Sequence, residues 1–318
     1  MQPMTHKLTE ELRRLSFENY NHCISCKYEF KEGDTTHLGY NFENNPLYVC
    51  DKCSSEIRET AVRYRFTPRP YEIPEAHCNL WRYMDFAKYV SMLATSSLFF
   101  TRADKFNDLF EGAKGLRKNK NKWDKYYLYF FKMAIKNPPE GHECNLTDQQ
   151  IDLQAKKLLK NLEARGENDR KHTYVNCWHE NTFESEAMWR LYSSFLDYAV
   201  AVKTSYKNLY LSLGRNPSIN IGRVKYIDLQ HKYSEINGAF WRKRKSFEHE
   251  KEVRAIIMDH KHPNEGILIN CDLSILVEEV FVSPRAKDWF VYLINDVNTK
   301  YGLNVKANRS ELSEEPFF

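Results

Sequence analysis

Residues 240–257 read FWRKRKSFEHEKEVRAII, and their spacing decides the kind of fold this chain can form. At a period of two, Glu250, Glu252 and Arg254 fall on one face of an extended strand. Val253, Ala255 and Ile257 fall on the other and predict burial against a core. A strand that opens with two carboxylates on one side is costly unless they are solvated, paired or functional. A solvated strand end with a Glu–Arg pair would contribute only about 0–1 kcal/mol. Four cations, Arg242 to Lys245, precede the strand.

Working outward, the chain supplies neighbours for such a strand. LWRY (80–83), SLFFT (97–101), YVNCWHEN (174–181), YAVAVKT (198–204) and GRVKYID (222–228) all read as short strands, and GILINCD, EEVFVSP and LNVKA follow in the last quarter. Helices are expected between them. Asp85 is placed to cap one running through Phe86, Tyr89, Val90 and Leu93. Thr147 and Gln150 form a capping box ahead of an apolar stripe, Ile151, Ala155, Leu158, Leu159 and Leu162, that ends near Gly166. SEAMWRLYSSF (185–195) is a third helix, with Met188, Leu191, Tyr192 and Phe195 facing inward. Many short strands with a few helices predict an α+β fold built on a mixed, mostly antiparallel sheet.

The N-terminal part has its own signature. Cys23 and Cys26 form C-x2-C, 23 residues intervene, and Cys50 and Cys53 form a second C-x2-C. Two knuckles of this kind aim four sulfurs at one ion, the closed tetrahedral shell of structural zinc. SSEIRETAVRYR (54–65), with Ile57, Val62 and Tyr64, has helical spacing, and FTPRPYEIPEA (66–76) reads as a proline-rich linker. The expected organisation is a four-cysteine zinc-binding module over 1–72, an α+β domain over 73–310 and a flexible tail over 311–318. Segment 1–72 carries 10 Lys and Arg against 11 Asp and Glu, so it is no basic clamp by itself. The other four of the eight cysteines are scattered singly, unlike a secreted disulfide framework.

Composition narrows the class further. The 318 residues are 42% hydrophobic and 14% aromatic with only 11 Gly and 11 Pro, which excludes a disordered or collagen-like chain. The net charge of +4 permits a nucleic-acid partner without demanding one. No apolar run suits a membrane span, and the first residues lack a signal-peptide core, so a cytoplasmic protein is expected. G-x-G-x-x-G, the P-loop, H-E-x-x-H and G-x-S-x-G are all absent from the sequence.

Further clusters draw attention. CWHENTFESEAMWRLY (177–192) packs His179, Glu180, Glu184, Ser185, Glu186 and two tryptophans into sixteen residues. It suits either a helix N-terminus or a stacking platform for a flat ring. Arg82 lies in an aromatic strand, where a guanidinium is expensive to bury without an anion or a carboxylate. Asn107, Asp108 and Glu111 form another polar group.

LWRY, SLFFTRADKFNDLFEG, VNCWHENTFESEAMWRLYSS and KRKSFEHEKEVRAII, in this order, resemble a widespread microbial domain family of unknown function over about residues 78–290. The motif order also resembles the ADP-ribosyltransferase superfamily. That resemblance implies a split sheet that binds NAD as substrate. It implies that Arg82 holds NAD, that Thr101 or Ser185 lines the nicotinamide pocket, and that Tyr83 or Trp189 stacks on the ring. It makes Glu252 the catalytic carboxylate and Glu250 the first glutamate of a Glu-x-Glu pair. The Ser-Thr-Ser triplet of the arginine-type class is absent, and a long insertion separates Arg82 from Glu252. The acceptor would be RNA, DNA or protein, with the basic stretches 114–136 and 242–245 as phosphate contacts. A role as a toxin in antiphage defence, with a protein antitoxin, is a further implication. Two alternatives stand beside it: a magnesium-dependent nuclease using Asp108, Glu111, Glu250 and Glu252, and a non-enzymatic zinc-ribbon adaptor.

Overall fold

The computed structural model describes residues 70–137, 144–216, 218–232, 238–261 and 264–318, and nearer the N-terminus 3–5, 22–23, 26, 28–31, 33–40 and 46–53. The helix expected over 54–65 and the first residues of the expected linker lie outside the described residues. At the N-terminus β1 (Pro3–Thr5), β2 (Thr35–Tyr40) and β3 (Pro46–Cys50) form a small antiparallel sheet.

The larger part is α+β. In chain order it runs β4 (Asn79–Asp85), α1 (Phe86–Thr95), β5 (Ser97–Arg102), α2 (Lys120–Lys136), α3 (Asp148–His172), β6 (Thr173–Glu180), α4 (Glu186–Tyr192), β7 (Ala199–Ser205) and α5 (Tyr206–Ser212). It continues through β8 (Ile219–Arg223), β9 (Lys225–Ile227), β10 (Arg242–Arg244), β11 (Glu252–Met258), β12 (Gly266–Asn270), α6 (Leu273–Leu276), β13 (Glu279–Val282), α7 (Asp288–Lys300) and β14 (Ala307–Arg309). Among the described residues nine strands form one sheet whose pairs are antiparallel except β13 with β14, and β9 and β10 form a separate parallel pair.

The sheet forks at β6. One edge of β6 pairs with β11 along its length, and β11 pairs in turn with β8. The other edge is shared. β5 takes its first half through Thr101 opposite Val175 and Arg102 opposite Tyr174. β4 takes its end through Leu80 opposite Glu180 and Trp81 opposite His179. Two limbs therefore diverge, β5 with β12, and β4 with β7, β13 and β14. The split expected from the resemblance is present. Asn176, between the limbs, donates its side-chain amide to the Phe99 carbonyl at 2.8 Å.

Alternation along each strand sorts the core into two faces. Leu80, Met84, Val200, Val202, Trp178, Val253 and Ala255 belong to the main core, which α1, α5 and α7 cover with Tyr89, Leu209 and Phe290. Trp81, Tyr83, Ala199, Ala201 and Phe281 face the other way, against Met188 and Trp189 of α4. β7 is thus apolar on both faces because both are covered, as its continuous AVAV run implies.

Local expectations fare unevenly. The capping box holds, with the Gln150 N–H donating to Thr147 Oγ1 and the Thr147 N–H to Gln150 Oε1. The helix then runs through Gly166 to His172, and Leu158 stands exposed. Asp85 makes no side-chain cap; it accepts instead from the Ser194 N–H at 2.7 Å. GRVKYID divides at Val224 into β8 and β9, and the last strand, 307–309, begins only at the final residue of LNVKA. Tyr71, in the expected linker, packs on Trp241 with ring centroids 4.1 Å apart. The start of the expected tail is pinned, since the Glu311 N–H donates to Glu184.

Gly112 requires its glycine. It sits at φ +71°, and a Cβ there would lie 2.6 Å from the Phe240 ring. Its neighbour Glu111 is thereby aimed inward, toward the β11 charges.

Candidate functional site

The fork encloses a cavity of about 750 Å³, a volume suited to a nucleotide-sized ligand. Arg82, Tyr83, Thr101, Glu250 and Glu252 all line it. So do Cys177, Trp178 and His179 from β6, Lys243 from β10, Phe247, and Tyr192 from the end of α4.

Its two sides carry opposite charge. In register, Trp81, His179 and Glu252 form one row across β4, β6 and β11. Arg82, the next residue after Trp81, therefore points to the opposite face from Glu252. It lies 5.7 Å over the Trp178 ring, on the side that α1 covers. The fork lets groups on both faces reach one hollow. Arg82 Nη1 is sealed from solvent and has no hydrogen-bond partner among the described residues. Burial without a counter-charge pulls its pKa down.

On the other side sits a buried charge network. Arg254 is 0% exposed. It donates through Nη1 and Nη2 to Glu111 at 2.5 and 2.8 Å, through Nε and Nη2 to Glu252 at 2.7 and 3.2 Å, and through Nη1 to the Phe240 carbonyl at 2.7 Å. Lys243 Nζ reaches Glu252 at 3.2 Å and is also paired with Glu250. Arg244 pairs with Asp108 at 2.8 Å. Four carboxylates thus meet three cations, leaving an excess of negative charge on this side.

The two glutamates behave differently. Burial opposes ionisation of Glu252, but Arg254 and Lys243 outweigh it and hold the carboxyl down at about 2. That part of its stabilisation is present above the ordinary glutamate range and is lost as pH falls toward 2. Glu250 is raised, because burial there outweighs Lys243. The backbone separates them as well. Glu250 ends a 3-10 turn and Lys251 takes a left-handed φ of +39°, so β11 begins only at Glu252. The expectation that both glutamates lie on one strand face is corrected; Lys243, not strand alternation, brings them together.

His179 was visible in the sequence but carried no assigned role. The ring is 6% exposed. Its Nδ1 lies 2.6 Å from the Glu250 carbonyl, which can only accept, so Nδ1 carries the proton. Nε2 is left as a bare acceptor, buried and without a partner among the described residues. Burial lowers the histidine pKa, which favours this neutral form. The alternation of YVNCWHEN could have flagged Cys177 and His179 as sharing a face with Glu252. Nothing distinguished Lys243 from the cations around it.

Two expected site residues lie elsewhere. Ser185 is the N-cap of α4, accepting from the Met188 N–H, and its own N–H donates to the Tyr83 hydroxyl at 2.9 Å. Trp189 is fully buried, edge-on to Tyr83, with its indole N–H on Glu184. Neither borders the cavity. Tyr83 does, and Trp81, Trp178, Tyr192 and Phe247 are among the other aromatic surfaces.

Some of the expected phosphate contacts are engaged within the protein, while Lys118, Lys122, Lys125 and Lys245 stand exposed. Arg242 donates to the Pro70 carbonyl at 2.6 Å, while Lys243 and Arg244 belong to the charge network. In 114–136, Lys120 pairs with Glu163, Lys132 with Asp152 and Lys136 with Asp148, stitching α2 to α3.

Cys23, Cys26, Cys50 and Cys53 converge, with all four sulfurs within 4.8 Å of one another. Cys26 and Cys50 are 3.7 Å apart, close to the ~3.8 Å edge of a tetrahedron with metal–sulfur bonds of about 2.3 Å. Cys23 and Cys53 are buried beside Phe30, Tyr48 and Val49, and no cysteine is disulfide-bonded. The four can hold a metal ion. No helix among the described residues is long and apolar enough to cross a membrane.

No family model matches this chain, and no curated protein matches it at a significant level.

Proposed function

We propose that the forked cavity binds NAD and transfers its ADP-ribose to a macromolecular acceptor, nucleic acid or protein. The observation that carries this reading is the polarity of the hollow: an unpartnered guanidinium on one side and a surplus of carboxylates on the other. NAD has matching poles. Its diphosphate suits Arg82, which can grip phosphate oxygens bidentately. Its cationic nicotinamide suits the Glu250–Glu252 side. His179 Nε2 can accept from the nicotinamide carboxamide, whose N–H is a neutral donor.

The chemistry follows from these placements. Breaking the bond between nicotinamide and ribose returns an electron pair to the nicotinamide nitrogen and builds positive charge on the ribose. Glu252, held ionised, stabilises that charge. The acceptor nucleophile then bonds to the ribose carbon, and its proton passes to Glu250, whose raised pKa suits a base. A shared magnesium fits the carboxylates less well. Lys243 bridges Glu250 to Glu252, and Arg254 bridges Glu252 to Glu111, where a nuclease would place its metal. An adaptor would leave Arg82 and Glu252 in unrelated surroundings, whereas both border one hollow.

The test is incubation of the full chain with labelled NAD and cellular RNA, DNA and protein. Free nicotinamide and a labelled acceptor are expected. Glu252→Gln should lower both about 10²- to 10³-fold while keeping a cooperative thermal transition. Absence of nicotinamide with every acceptor, or equal release by the variant, would count against an ADP-ribosyltransferase.

Four cysteines in a closed shell suit zinc as a structural clamp with no open position for chemistry. Elemental analysis of the purified protein should give one zinc per chain, lost in Cys23→Ser. Another metal, none, or zinc retained by the variant would remove this assignment.

A further inference from the structure

A second cavity, of about 440 Å³, lies between the loop 112–117, the start of α2 and the C-terminal half of α3. Lys114, Arg117, Lys120 and Arg170 border it, with Glu163 and Glu167. The acids do not balance the cations. Glu163 is taken by Lys120, which Asp124 also holds. Asp169 acts on Lys114 only through space. Lys114, Arg117 and Arg170 form no ion pair among the described residues. Lys114 is half-buried, with Nζ on the Leu162 carbonyl at 2.8 Å and 5.7 Å over the Trp123 ring.

Two buried atoms at this cavity lack partners among the described residues: Trp123 Nε1 and Arg170 Nε. Trp123 is only 6% exposed, so its N–H is missing a bond that buried indoles usually make. Both atoms can only donate. A ligand that satisfies them must be an acceptor, and the unpaired cations require it to be negative. Several donors arrayed around one small hollow match a tetrahedral oxyanion with acceptor oxygens on every side. Gly166 lets Lys114 approach α3 closely, since a Cβ there would lie 3.2 Å from Lys114 Nζ.

We infer that this cavity is a phosphate-binding site in which Trp123, Arg170 and Lys114 hold the oxygens of a phosphate group. It is separate from the forked cavity and does not rest on the NAD reading. The phosphate can come from a free nucleotide or from a nucleic-acid strand, and the experiment distinguishes them.

Calorimetric titration of the full chain at low salt would use sodium phosphate, AMP and a short single-stranded RNA. Phosphate and AMP are expected to bind saturably. Trp123→Phe, which keeps the ring and drops the N–H, and Arg170→Gln should each weaken binding about tenfold or more. The same titration in an Arg82→Met background, where the forked cavity has lost its phosphate grip, should still show this binding. Binding of the RNA alone, weakened by the same variants, would support the site with the strand as its source. Absence of binding by all three probes would overturn the inference, and so would equal affinity in Arg170→Gln, whatever the stability of Trp123→Phe.

Discussion

Arg254→Gln is expected to destabilise the protein by about 3–5 kcal/mol, the largest loss that any single charge here should produce. The guanidinium is fully buried and supplies five hydrogen bonds to Glu111, Glu252 and the Phe240 carbonyl. Without it Glu111, 2% exposed, is left buried with no ion-pair partner among the described residues. Glutamine can replace at most two of the bonds and none of the charge. Glu252 would retain Lys243, so the damage centres on Glu111 and on the loop that carries it. Urea unfolding checks this: the midpoint should fall sharply at an unchanged slope. A loss below about 1 kcal/mol would mean that the network stabilises little.

Arg82→Met should move stability the other way. A half-buried guanidinium whose Nη1 is sealed without a hydrogen-bonded anion costs free energy that the Trp178 ring offsets in part. Methionine fills similar volume and needs no partner, so a gain of about 1–2 kcal/mol is expected. The same change should weaken NAD binding about 10- to 100-fold, since a charged donor to phosphate contributes about 1.5–3 kcal/mol. Opposite signs for stability and binding mark a residue kept for its ligand and not for the fold. A structural arginine would show destabilisation instead.

How much of this was legible in the sequence depended on the range of the cause. Period-two spacing placed β11 and its core side chains because strand alternation is local. The capping box and the cysteine knuckles were readable for the same reason. The charge network was not. Lys243 reaches Glu250 because a 3-10 turn folds the chain back between them, and the left-handed Lys251 then leads into β11; no periodicity encodes that. Trp189 looked like a stacking ring from its polar surroundings, but α4 turns that face onto Tyr83 and Phe281. The pairing of Lys120, Lys132 and Lys136 was not legible either, because nothing local says that α3 would bring Glu163, Asp152 and Asp148 alongside. The opposed faces of Arg82 and Glu252 follow from sheet register, which requires knowing that both strands border β6.

The central claim is that the fork holds one ligand with an anionic and a cationic end. Calorimetric titration of NAD into the full chain, wild type beside Arg82→Met, tests it most directly. Saturable one-to-one binding by the wild type, weakened at least tenfold in a variant that melts no lower, is the predicted result. No binding by the wild type, or equal affinity in the two proteins, would contradict it.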